Sequence, residues 1–430
     1  MSVNFNELGL IDQLLSAVEA QGYKEPSEIQ ALTIPRALKG ADIQASAQTG
    51  TGKTAAFALP ILQKLSRKKS DTKNPRALIL TPTRELAMQI ADNATAYGAE
   101  LDLTVATVFG GASMNTQIKK LKKGVDILIA TPGRLLDHVG QETVDLSEIQ
   151  IFVLDEADRM LDMGFKLEIR QIQNQLPKQK QNMLFSATFP PSVTELSERI
   201  LRSPVIIQSD RSNSTASTVS QVVHPVAAAR KIDLLTHIIN KGDLNQVLVF
   251  TKTKETANVV TDKLKAAGIS AVALHGNKTQ SARRRALEDF KNIKVRILVA
   301  TDVASRGIDI DTLQYVINYE LPGVPEDYIH RIGRTGRAGN KGHAITFICA
   351  DEHRNLRDIE RFIKKEIPVK EIGDFRRGDQ PSFKKKIKSR KKDTKSTNDY
   401  KILDGDKRGA KPRQGVGKPK KRNQSKFKRR

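Results

Sequence analysis

A run of carboxylates at the end of an apolar segment carries the clearest chemistry in this chain. Asp155, Glu156 and Asp158 follow the apolar residues 151–154 and lie about a hundred residues after a glycine-containing loop. An apolar run that ends in acids is typical of a buried parallel strand, which delivers them to the carboxyl edge of a sheet. One acid there can hold Mg²⁺ while its neighbour orients an attacking water. The alternative is a strand followed by an acidic helix turn, and the upstream loop makes that alternative the weaker one.

The upstream loop has the composition of a phosphate-binding turn. Gly50 and Gly52 let backbone N–H groups point at phosphate oxygens where a helix begins, and the helix dipole favours negative charge there. The Lys53 ammonium would bridge the β- and γ-phosphates, and the Thr54 hydroxyl would ligate Mg²⁺. Alanine stands first where glycine is usual, and the full loop is Ala47, Gln48, Thr49, Gly50, Thr51, Gly52, Lys53 and Thr54. Loop and acids together predict hydrolysis of a nucleoside triphosphate.

Alternating strands and helices must position these residues. The predicted strands of the first half are 43–47, 77–81, 105–109, 127–130, 152–154 and 183–186, with a helix at 84–97. A second series has predicted strands at 247–250, 271–274, 297–300, 315–319 and 344–348, with a helix at 256–267. This alternation predicts an α/β fold with two tandem parallel sheets, each covered on both faces. The predicted domains are 1–207 and 221–372, with a polar linker at 208–220 and a tail at 373–430.

The basic charge of the chain is concentrated in that tail. Residues 376–430 contain 23 Lys and Arg and 5 Asp and Glu, which accounts for +18 of the total +24. Few apolar groups are present to offset the entropy of ordering, so the tail is predicted to be disordered. It would anchor RNA through counterion release without sequence preference, or it would only keep the protein soluble.

Composition also excludes several classes of protein. No stretch approaches the roughly 18 apolar residues of a membrane span, and residues 1–10 lack the blocks of a signal peptide. Cys349 is the only cysteine, so an internal disulfide and a cysteine-based metal site are both excluded. We therefore expect a cytoplasmic protein with no membrane partner.

The residues Asp155, Glu156, Ala157 and Asp158 spell the signature of the DEAD-box ATP-dependent RNA helicases, and the family's other motifs occur in order along roughly residues 5–370. The residues at 275–278 and 326–328 resemble the bacterial RhlE-type branch. This resemblance implies two RecA-like domains that close on ATP, Mg²⁺ and RNA. An RNA-stimulated ATPase would then unwind RNA duplexes locally or remodel ribonucleoprotein. By the same resemblance, Thr54 and Asp155 hold Mg²⁺, and Glu156 positions the water.

Residues 22–30 resemble the family's adenine-reading motif, with Phe5 as its isolated upstream aromatic. The Gln30 amide can donate to and accept from adenine, and guanine would mismatch it. Tyr23 could stack on the base, and Ser27 stands where threonine is usual.

Further motifs resemble those that link hydrolysis to domain movement. Ser186 and Thr188 match the coupling motif, whose hydroxyls would bond Asp158. A cationic turn in the second half suits the charge that spreads over a transferring phosphoryl group. By the resemblance, two of its arginines act as arginine fingers and its histidine contacts the first-domain acids. The implied catalytic set is Lys53, Asp155, Glu156, Asp158, Ser186, Thr188, His330, Arg334 and Arg337, and Gly307 and Asp309 resemble the ribose-contacting segment.

RNA contacts are expected from loops at the same edge of both sheets. Small residues, helix N-termini and single arginines can grip phosphates and riboses there without reading bases. The implied residues are Pro82, Thr83, Arg84, Gly110, Gly111, Thr131, Pro132, Gly133 and Arg134 in the first domain, and Thr251, Gly276, Gln280, Arg283, Thr301 and Asp302 in the second.

Two other functions stay open. The chain could be an ATP-gated RNA clamp or scaffold with little unwinding, or a DNA-translocating helicase, which the adenine motif and the acid signature oppose. Ribosomal particles and the RNA-decay machinery are both compatible with the resemblance as partners.

Overall fold

The computed structural model describes residues 3–47, 50–208, 219–302, 313–336 and 342–376. Its α-helices are α1 Asp12–Ala20, α2 Glu28–Leu38, α3 Lys53–Ser66, α4 Arg84–Tyr97, α5 Met114–Leu121, α6 Pro132–Gly140, α7 Ala157–Asp162, α8 Lys166–Asn174, α9 Pro191–Ile200, α10 Lys231–Lys241, α11 Lys254–Ala266, α12 Gln280–Lys291, α13 Pro325–Ile332 and α14 His353–Phe362. Its strands are β1 Ile43–Ser46, β2 Ala77–Leu80, β3 Val105–Val108, β4 Ile127–Ala130, β5 Ile151–Asp155, β6 Gln181–Ser186, β7 Val205–Gln208, β8 Val219–Pro225, β9 Val247–Thr251, β10 Ala271–Leu274, β11 Ile297–Thr301, β12 Tyr315–Asn318 and β13 Gly342–Ile348.

Two parallel sheets organise these elements. The first lobe, residues 3–208, is built on a seven-stranded sheet in the order β3-β4-β2-β5-β6-β1-β7. The second lobe, residues 219–376, is built on a six-stranded sheet in the order β10-β11-β9-β12-β13-β8. Every residue of β2, β4 and β5 is buried, as expected for strands with helices on both faces. The predicted α/β fold with two parallel sheets is therefore confirmed.

Threonine caps fix where three helices begin behind these strands. The hydroxyls of Thr83, Thr253 and Thr279 accept hydrogen bonds from backbone N–H groups three residues on, at the starts of α4, α11 and α12. Thr83 follows β2, Thr253 follows β9 and Thr279 follows β10. The caps therefore set the direction in which the first turn of each helix presents its side chains.

The structure adds two edge strands that the sequence did not predict, β7 and β8. Polar residues interrupt the apolar ones in β8, and Ile206 of β7 is 61% exposed, so neither strand has the continuous apolar pattern of the inner strands. Gln208 belongs to β7 and β8 begins at Val219, so both ends of the predicted linker are strand. The rest of that linker, residues 209–218, lies outside the described residues.

The start of the predicted disordered tail is ordered. Residues Gly373–Arg376 form a 3-10 helix, and the Phe375 ring lies 5.1 Å from the His237 ring and 4.9 Å from the Arg230 guanidinium carbon. Residues 377–430 lie outside the described residues. Among the residues that the structure describes, no helix is long and apolar enough to cross a membrane.

Ile293, in the turn between α12 and β11, adopts a left-handed backbone conformation with φ of 58° and is 61% exposed. A β-branched residue there costs about 1–2 kcal/mol, whereas asparagine tolerates the conformation. We expect Ile293→Asn to raise the free energy of unfolding of the second lobe by about 0.5–1 kcal/mol. Urea unfolding followed by circular dichroism measures the change.

The matched control for this prediction is Val259→Asn. Val259 is 51% exposed and lies within helix α11, so the same loss of apolar surface occurs without relief of backbone strain. Valine and asparagine have similar helix propensities, so we expect a change within about 0.5 kcal/mol. Equal effects of the two substitutions would show that the strain at Ile293 contributes nothing.

Candidate functional site

Strand order sorts the predicted site residues into two groups in each lobe. In the first lobe, the nucleotide motifs follow the adjacent strands β5, β6 and β1, and the predicted RNA segments follow β3, β4 and β2. In the second lobe, Thr251, Gly276 and Thr301 lie at the ends of β9, β10 and β11, and the cationic turn follows β12 through α13. Because all strands are parallel, these ends share one edge of each sheet.

The phosphate loop holds a buried lysine. Lys53 is the first residue of α3, directly after Gly52, whose φ is 91°. Its side chain is only 6% exposed, and its Nζ lies 3.9 Å from Asp155 Oδ1 and has no hydrogen-bond partner among the described residues. Ser27 Oγ is likewise buried without one. Since buried polar groups are normally paired, these atoms fit an anionic ligand such as a triphosphate.

The site offers two candidate ligands for Mg²⁺, Thr54 and Asp155. Thr54 is the second residue of α3, and Asp155 ends β5 with 2% exposure. The described residues contain no cluster of three or more acidic, histidine or cysteine side chains that could hold a metal. Mg²⁺ in phosphoryl-transfer sites is usually held by one or two protein ligands together with phosphate oxygens and waters, so this sparse set fits it.

The adenine-reading motif is tied to the phosphate loop. Gln30 Oε1 accepts a hydrogen bond of 2.9 Å from the Ser27 backbone N–H, and its Nε2 donates to the Gly52 carbonyl at 3.2 Å. A Cβ at Gly52 would collide with the Gln30 amide, so this contact requires glycine. One donor and one acceptor position of the amide are thereby used within the protein. Each has a second position left for a base.

The predicted aromatic residues form a stack next to this motif. The Phe5 and Tyr23 rings lie 6.5 Å apart with an angle of 20° between their planes. Tyr23 is 39% exposed, whereas Phe5 is 4% exposed and lies in the core of the first lobe. The Phe5 ring stacks on Tyr23, and the assignment of Phe5 to the nucleotide site stays a prediction. The Tyr23 hydroxyl lies 2.9 Å from the Tyr97 hydroxyl, which fixes its orientation.

The two leading acids have opposite electrostatic surroundings. Burial raises the pKa of Asp155 to about 6, although the Lys53 charge opposes the shift. Burial alone would also raise the pKa of Glu156, but the charges of Arg159, Lys53, Arg334 and His330 outweigh it and lower that pKa to about 2. Glu156 is therefore ionised at neutral pH, which suits a group that accepts a hydrogen bond from water.

Glu156 also has an unusual backbone. It adopts the left-handed conformation, with φ of 56° and ψ of 53°, at the point where β5 ends and α7 begins. This costs a non-glycine residue about 1–2 kcal/mol. Glu156 Oε2 accepts a hydrogen bond of 2.5 Å from Arg159 Nη1, which holds the carboxylate in place. Such strain at the end of a strand is typical of a functional position.

Two side chains of the second lobe act electrostatically on this acid. Arg334, 3% exposed, and His330 both contribute to the low pKa of Glu156, although they follow β12 and Glu156 follows β5. The candidate site is therefore composite, with acids from one lobe and positive charge from the other. Four predicted partners, Gln48, Thr49, Gly307 and Asp309, and the predicted second arginine finger, Arg337, lie outside the described residues.

The third acid faces the predicted coupling motif. Asp158 Oδ2 accepts hydrogen bonds of 2.9 Å from both the backbone N–H and the hydroxyl of Thr188. The Asp158 backbone N–H donates to Ser186 Oγ at 3.1 Å, and that hydroxyl donates to the Thr188 carbonyl at 2.7 Å. Asp158 is thus bound to the end of β6, while Asp155 and Glu156 face the nucleotide loop and the second lobe.

Several predicted RNA residues use their side chains within the protein. The Thr251 hydroxyl is buried and donates to the Thr253 carbonyl, and Thr83 caps α4. Arg134 Nη1 donates to the Ala112 carbonyl at 3.0 Å. Asp302 accepts two hydrogen bonds, of 2.6 and 2.7 Å, from a single guanidinium. These hydrogen bonds hold the side chains in place, and their contacts with RNA stay predictions.

Three charged residues that the sequence analysis did not single out organise the site. Arg159 pairs with Glu156, Arg331 pairs with Asp302 and stacks on the Phe250 ring at 5.0 Å, and Glu85 pairs with Arg283 across the lobes. The spacing of three residues between Glu156 and Arg159 was a readable signal. The other two pairs join residues distant in sequence, so nothing local indicated them.

Comparison with known proteins adds independent findings. The DEAD/DEAH box helicase family matches residues 27–196, and the helicase conserved C-terminal domain matches residues 230–339. The ATP-dependent RNA helicase CshA of Limosilactobacillus reuteri is 42% identical over 371 residues, which cover 86% of this chain and 74% of that protein.

Two solved structures show the same two-lobed arrangement. S. cerevisiae Dbp5 bound to RNA and ADP BeF3 is 34% identical, with a TM-score of 0.77 and coverage of 86% of this chain and 95% of that one. Mss116p bound to ssRNA and AMP-PNP is 28% identical, with a TM-score of 0.79 and coverage of 86% and 80%.

Proposed function

This chain belongs to the DEAD-box family of ATP-dependent RNA helicases, and from that membership we propose that its two lobes close on ATP and RNA and separate RNA strands locally. The observation that carries the proposal is the composite surroundings of Glu156, whose charge is stabilised by cations of both lobes. The Dbp5 and Mss116p structures, which contain RNA and a nucleotide analogue, support RNA as the polymer. Hydrolysis would then reopen the cleft and release the RNA.

In this proposal the first lobe binds the nucleotide. Gln30 and Tyr23 hold the adenine, and the N–H groups of the loop at 47–54 together with the Lys53 ammonium hold the phosphates. Thr54 and Asp155 would ligate Mg²⁺, which supplies positive charge to the phosphate oxygens. The burial of Lys53, which has no hydrogen-bond partner in the part of the chain that the structure describes, supports this assignment.

The reaction itself is assigned to groups at the lobe boundary. Glu156 positions the attacking water, and its ionised state at neutral pH lets it accept the hydrogen bond. Arg334 and Arg337 are proposed as arginine fingers, and His330 as the contact to the acids. Because these cations come from the second lobe, turnover depends on closure.

Asp158 is proposed as the link between hydrolysis and movement. Its Oδ2 accepts hydrogen bonds from Thr188 at the end of β6, and its Oδ1 accepts one from the Arg159 backbone N–H within α7. A change in the position of α7 therefore pulls on the end of β6 through these hydrogen bonds.

Finer assignments are also proposals. A role in ribosome assembly or RNA degradation and a cytoplasmic location are compatible with the helicase relatives. Assignment to the RhlE-type branch stays a prediction from the sequence, since the relative described above is named CshA.

Strand displacement from an RNA duplex tests the function. We expect displacement with ATP, and stimulation of ATP hydrolysis by RNA but not by DNA of the same sequence. Tight RNA binding with a non-hydrolysable ATP analogue, but no displacement with ATP, would instead identify an ATP-gated clamp. Equal stimulation by DNA would contradict the assignment of RNA as substrate.

Removal of the basic tail after Arg376 is expected to weaken RNA affinity by at least about tenfold and to flatten its salt dependence, because each phosphate contact releases counterions. ATP turnover without RNA should be nearly unchanged, since every assigned catalytic group precedes residue 377. RNA affinity measured by fluorescence anisotropy at a series of salt concentrations checks this. Equal salt slopes with and without the tail would contradict an RNA-anchoring role.

A further inference from the structure

We propose that the Tyr97 hydroxyl positions the Tyr23 ring and so holds the adenine-stacking surface in its binding geometry. The inference rests on the proposed binding of adenine by Gln30 and Tyr23, and it adds a residue that no sequence motif indicated. Tyr97 is the last residue of α4 and lies 74 residues after Tyr23 in the chain. Its role is positioning, because its own ring is buried in the core of the first lobe.

The backbone of Tyr23 is fixed by the end of helix α1. The Tyr23 N–H donates to the Val18 carbonyl at 3.2 Å, and the Gly22 N–H donates to the Glu19 carbonyl at 2.8 Å. Gly22 has a φ of 74°, so these two bonds form the glycine-terminated motif that commonly ends helices. The motif sets the direction of the chain at Tyr23, but it does not determine the torsion angles of the side chain.

Two side-chain contacts define the orientation of the Tyr23 ring. The Phe5 ring is nearly parallel to it, with 20° between the planes, and constrains the plane of the ring. The Tyr97 ring is 6.3 Å away and tilted by 57°, and a hydrogen bond of 2.9 Å joins the two hydroxyl oxygens. This bond fixes the outer end of a ring that is otherwise 39% exposed. The exposed part stays available to a base.

Tyr97 is itself held firmly, so its hydroxyl is a fixed reference point. It is 2% exposed, and the Gly98 N–H closes the last turn of α4 by donating to the carbonyl four residues earlier. A Cβ at Gly98 would lie 3.0 Å from the Leu62 side chain of α3, so the two helices pack closely there. Helix α3 begins at Lys53. The hydroxyl pair therefore ties the Tyr23 ring to the helix that carries the phosphate-binding lysine.

Preorganisation explains how such a bond affects affinity. A ligand that must immobilise a mobile side chain pays for the lost rotamer freedom out of its binding free energy. When the side chain is already held, that loss is part of folding and does not weaken the ligand. A hydrogen bond of ordinary net strength corresponds to roughly a 2–10-fold change in an equilibrium constant. Adenine should therefore stack several-fold more strongly on the held Tyr23 ring than on a ring that can rotate.

Two other roles for the hydroxyl pair predict different results. If the pair only fastens residues 5–23 to the lobe, its loss lowers the free energy of unfolding but leaves ATP affinity unchanged. If the Tyr23 hydroxyl instead leaves Tyr97 to bond to the nucleotide, loss of the Tyr97 hydroxyl strengthens ATP binding and loss of the Tyr23 hydroxyl weakens it. Opposite signs at the two residues would identify that second role.

The test uses the full chain with Y97F, Y23F and the double variant, because phenylalanine keeps each ring and removes only the hydroxyl. Calorimetry in the presence of Mg²⁺ measures the affinity for ATP and for inorganic tripolyphosphate, a probe without a base. We expect each single variant to bind ATP about 3–10-fold more weakly and the double variant to match them, because all three lack the same bond. Tripolyphosphate affinity should stay within about twofold. In RNA-stimulated turnover, the larger part of the effect should fall on the KM for ATP and not on kcat.

Ser197→Ala is the control for a loss of stability alone. Ser197 is a buried residue of the same lobe, and its hydroxyl donates to Gln44 Oε1 at 2.6 Å. Its removal also breaks one hydroxyl hydrogen bond, but no contact with Tyr23 is involved. We expect this variant to bind ATP as the wild type does. Urea unfolding of every variant gives the accompanying change in the free energy of unfolding.

The positioning role is overturned if Y97F binds ATP as tightly as the wild type or more tightly, or if the effects of Y97F and Y23F add in the double variant. An equal loss of tripolyphosphate affinity would overturn it as well, since the phosphate loop would then be disturbed. The wild type decides the underlying assignment separately. If it bound ATP no more tightly than tripolyphosphate, the adenine site itself would be contradicted, and the positioning role with it.

Discussion

Replacement of Glu156 by glutamine is expected to lower RNA-stimulated ATP turnover by about 10²–10⁴-fold while ATP and RNA still bind. The carboxylate lies at 4% exposure between cations of both lobes, and they keep it ionised by lowering its pKa to about 2. Glutamine retains an oxygen that can accept the hydrogen bond from Arg159. It cannot accept a proton from water, so the loss should fall on turnover and not on binding.

Steady-state ATP hydrolysis at saturating RNA, with separate measurements of nucleotide and RNA affinity, distinguishes these effects. The control is Glu198→Gln, because Glu198 is an exposed carboxylate on helix α9 of the same lobe. We expect the control to hydrolyse ATP at the wild-type rate. Full activity in the Glu156 variant would contradict its proposed role in positioning water. Loss of ATP binding would indicate a structural role for the carboxylate.

The sequence predicted the sheets well because the inner strands are continuous apolar runs. β2 and β4 are apolar throughout, and a threonine and a proline follow each of them at the edge where ligands bind. Continuous apolar runs did not identify β7 and β8, because these edge strands contain polar and exposed residues. Ordering of residues 373–376 was also missed, because the contacts of Phe375 involve a helix more than 130 residues earlier.

The sequence predicted those site residues whose chemistry depends on near neighbours in the chain, and it missed those that depend on distant ones. The phosphate loop and the acids each occupy a few consecutive residues, so their types and spacing indicate their chemistry. The partners of Arg283 and Arg331 could not be predicted, since both pairs depend on how distant segments meet. Residue type alone does not distinguish an arginine that binds RNA or acts as an arginine finger from one that pairs with a carboxylate. Burial against a carboxylate is what separates a positioning arginine from one that is available for a phosphate.

Substitution of Arg334 is expected to have the largest effect on ATP turnover among the arginines discussed. Its charge contributes to the low pKa of Glu156 from the opposite lobe, and positive charge at this site can stabilise the negative charge that spreads during phosphoryl transfer. We expect Arg334→Ala to lower ATP turnover by about 10³–10⁵-fold, the range typical of an arginine finger. Arg334→Lys should lose less, because lysine keeps the charge but lacks the planar fork that contacts two oxygens.

A separate measurement decides whether Arg334 acts in the reaction or in closure. RNA affinity in the presence of a non-hydrolysable ATP analogue reports closure without turnover, and we expect the lysine variant to keep most of that affinity. Arg357→Ala is the control, because Arg357 is an exposed arginine on helix α14 of the same lobe. If the lysine variant lost nucleotide-dependent RNA affinity in parallel with turnover, Arg334 would act in closure of the lobes. If the lysine variant kept that affinity but lost turnover, the Arg334 guanidinium would act on the transferring phosphoryl group.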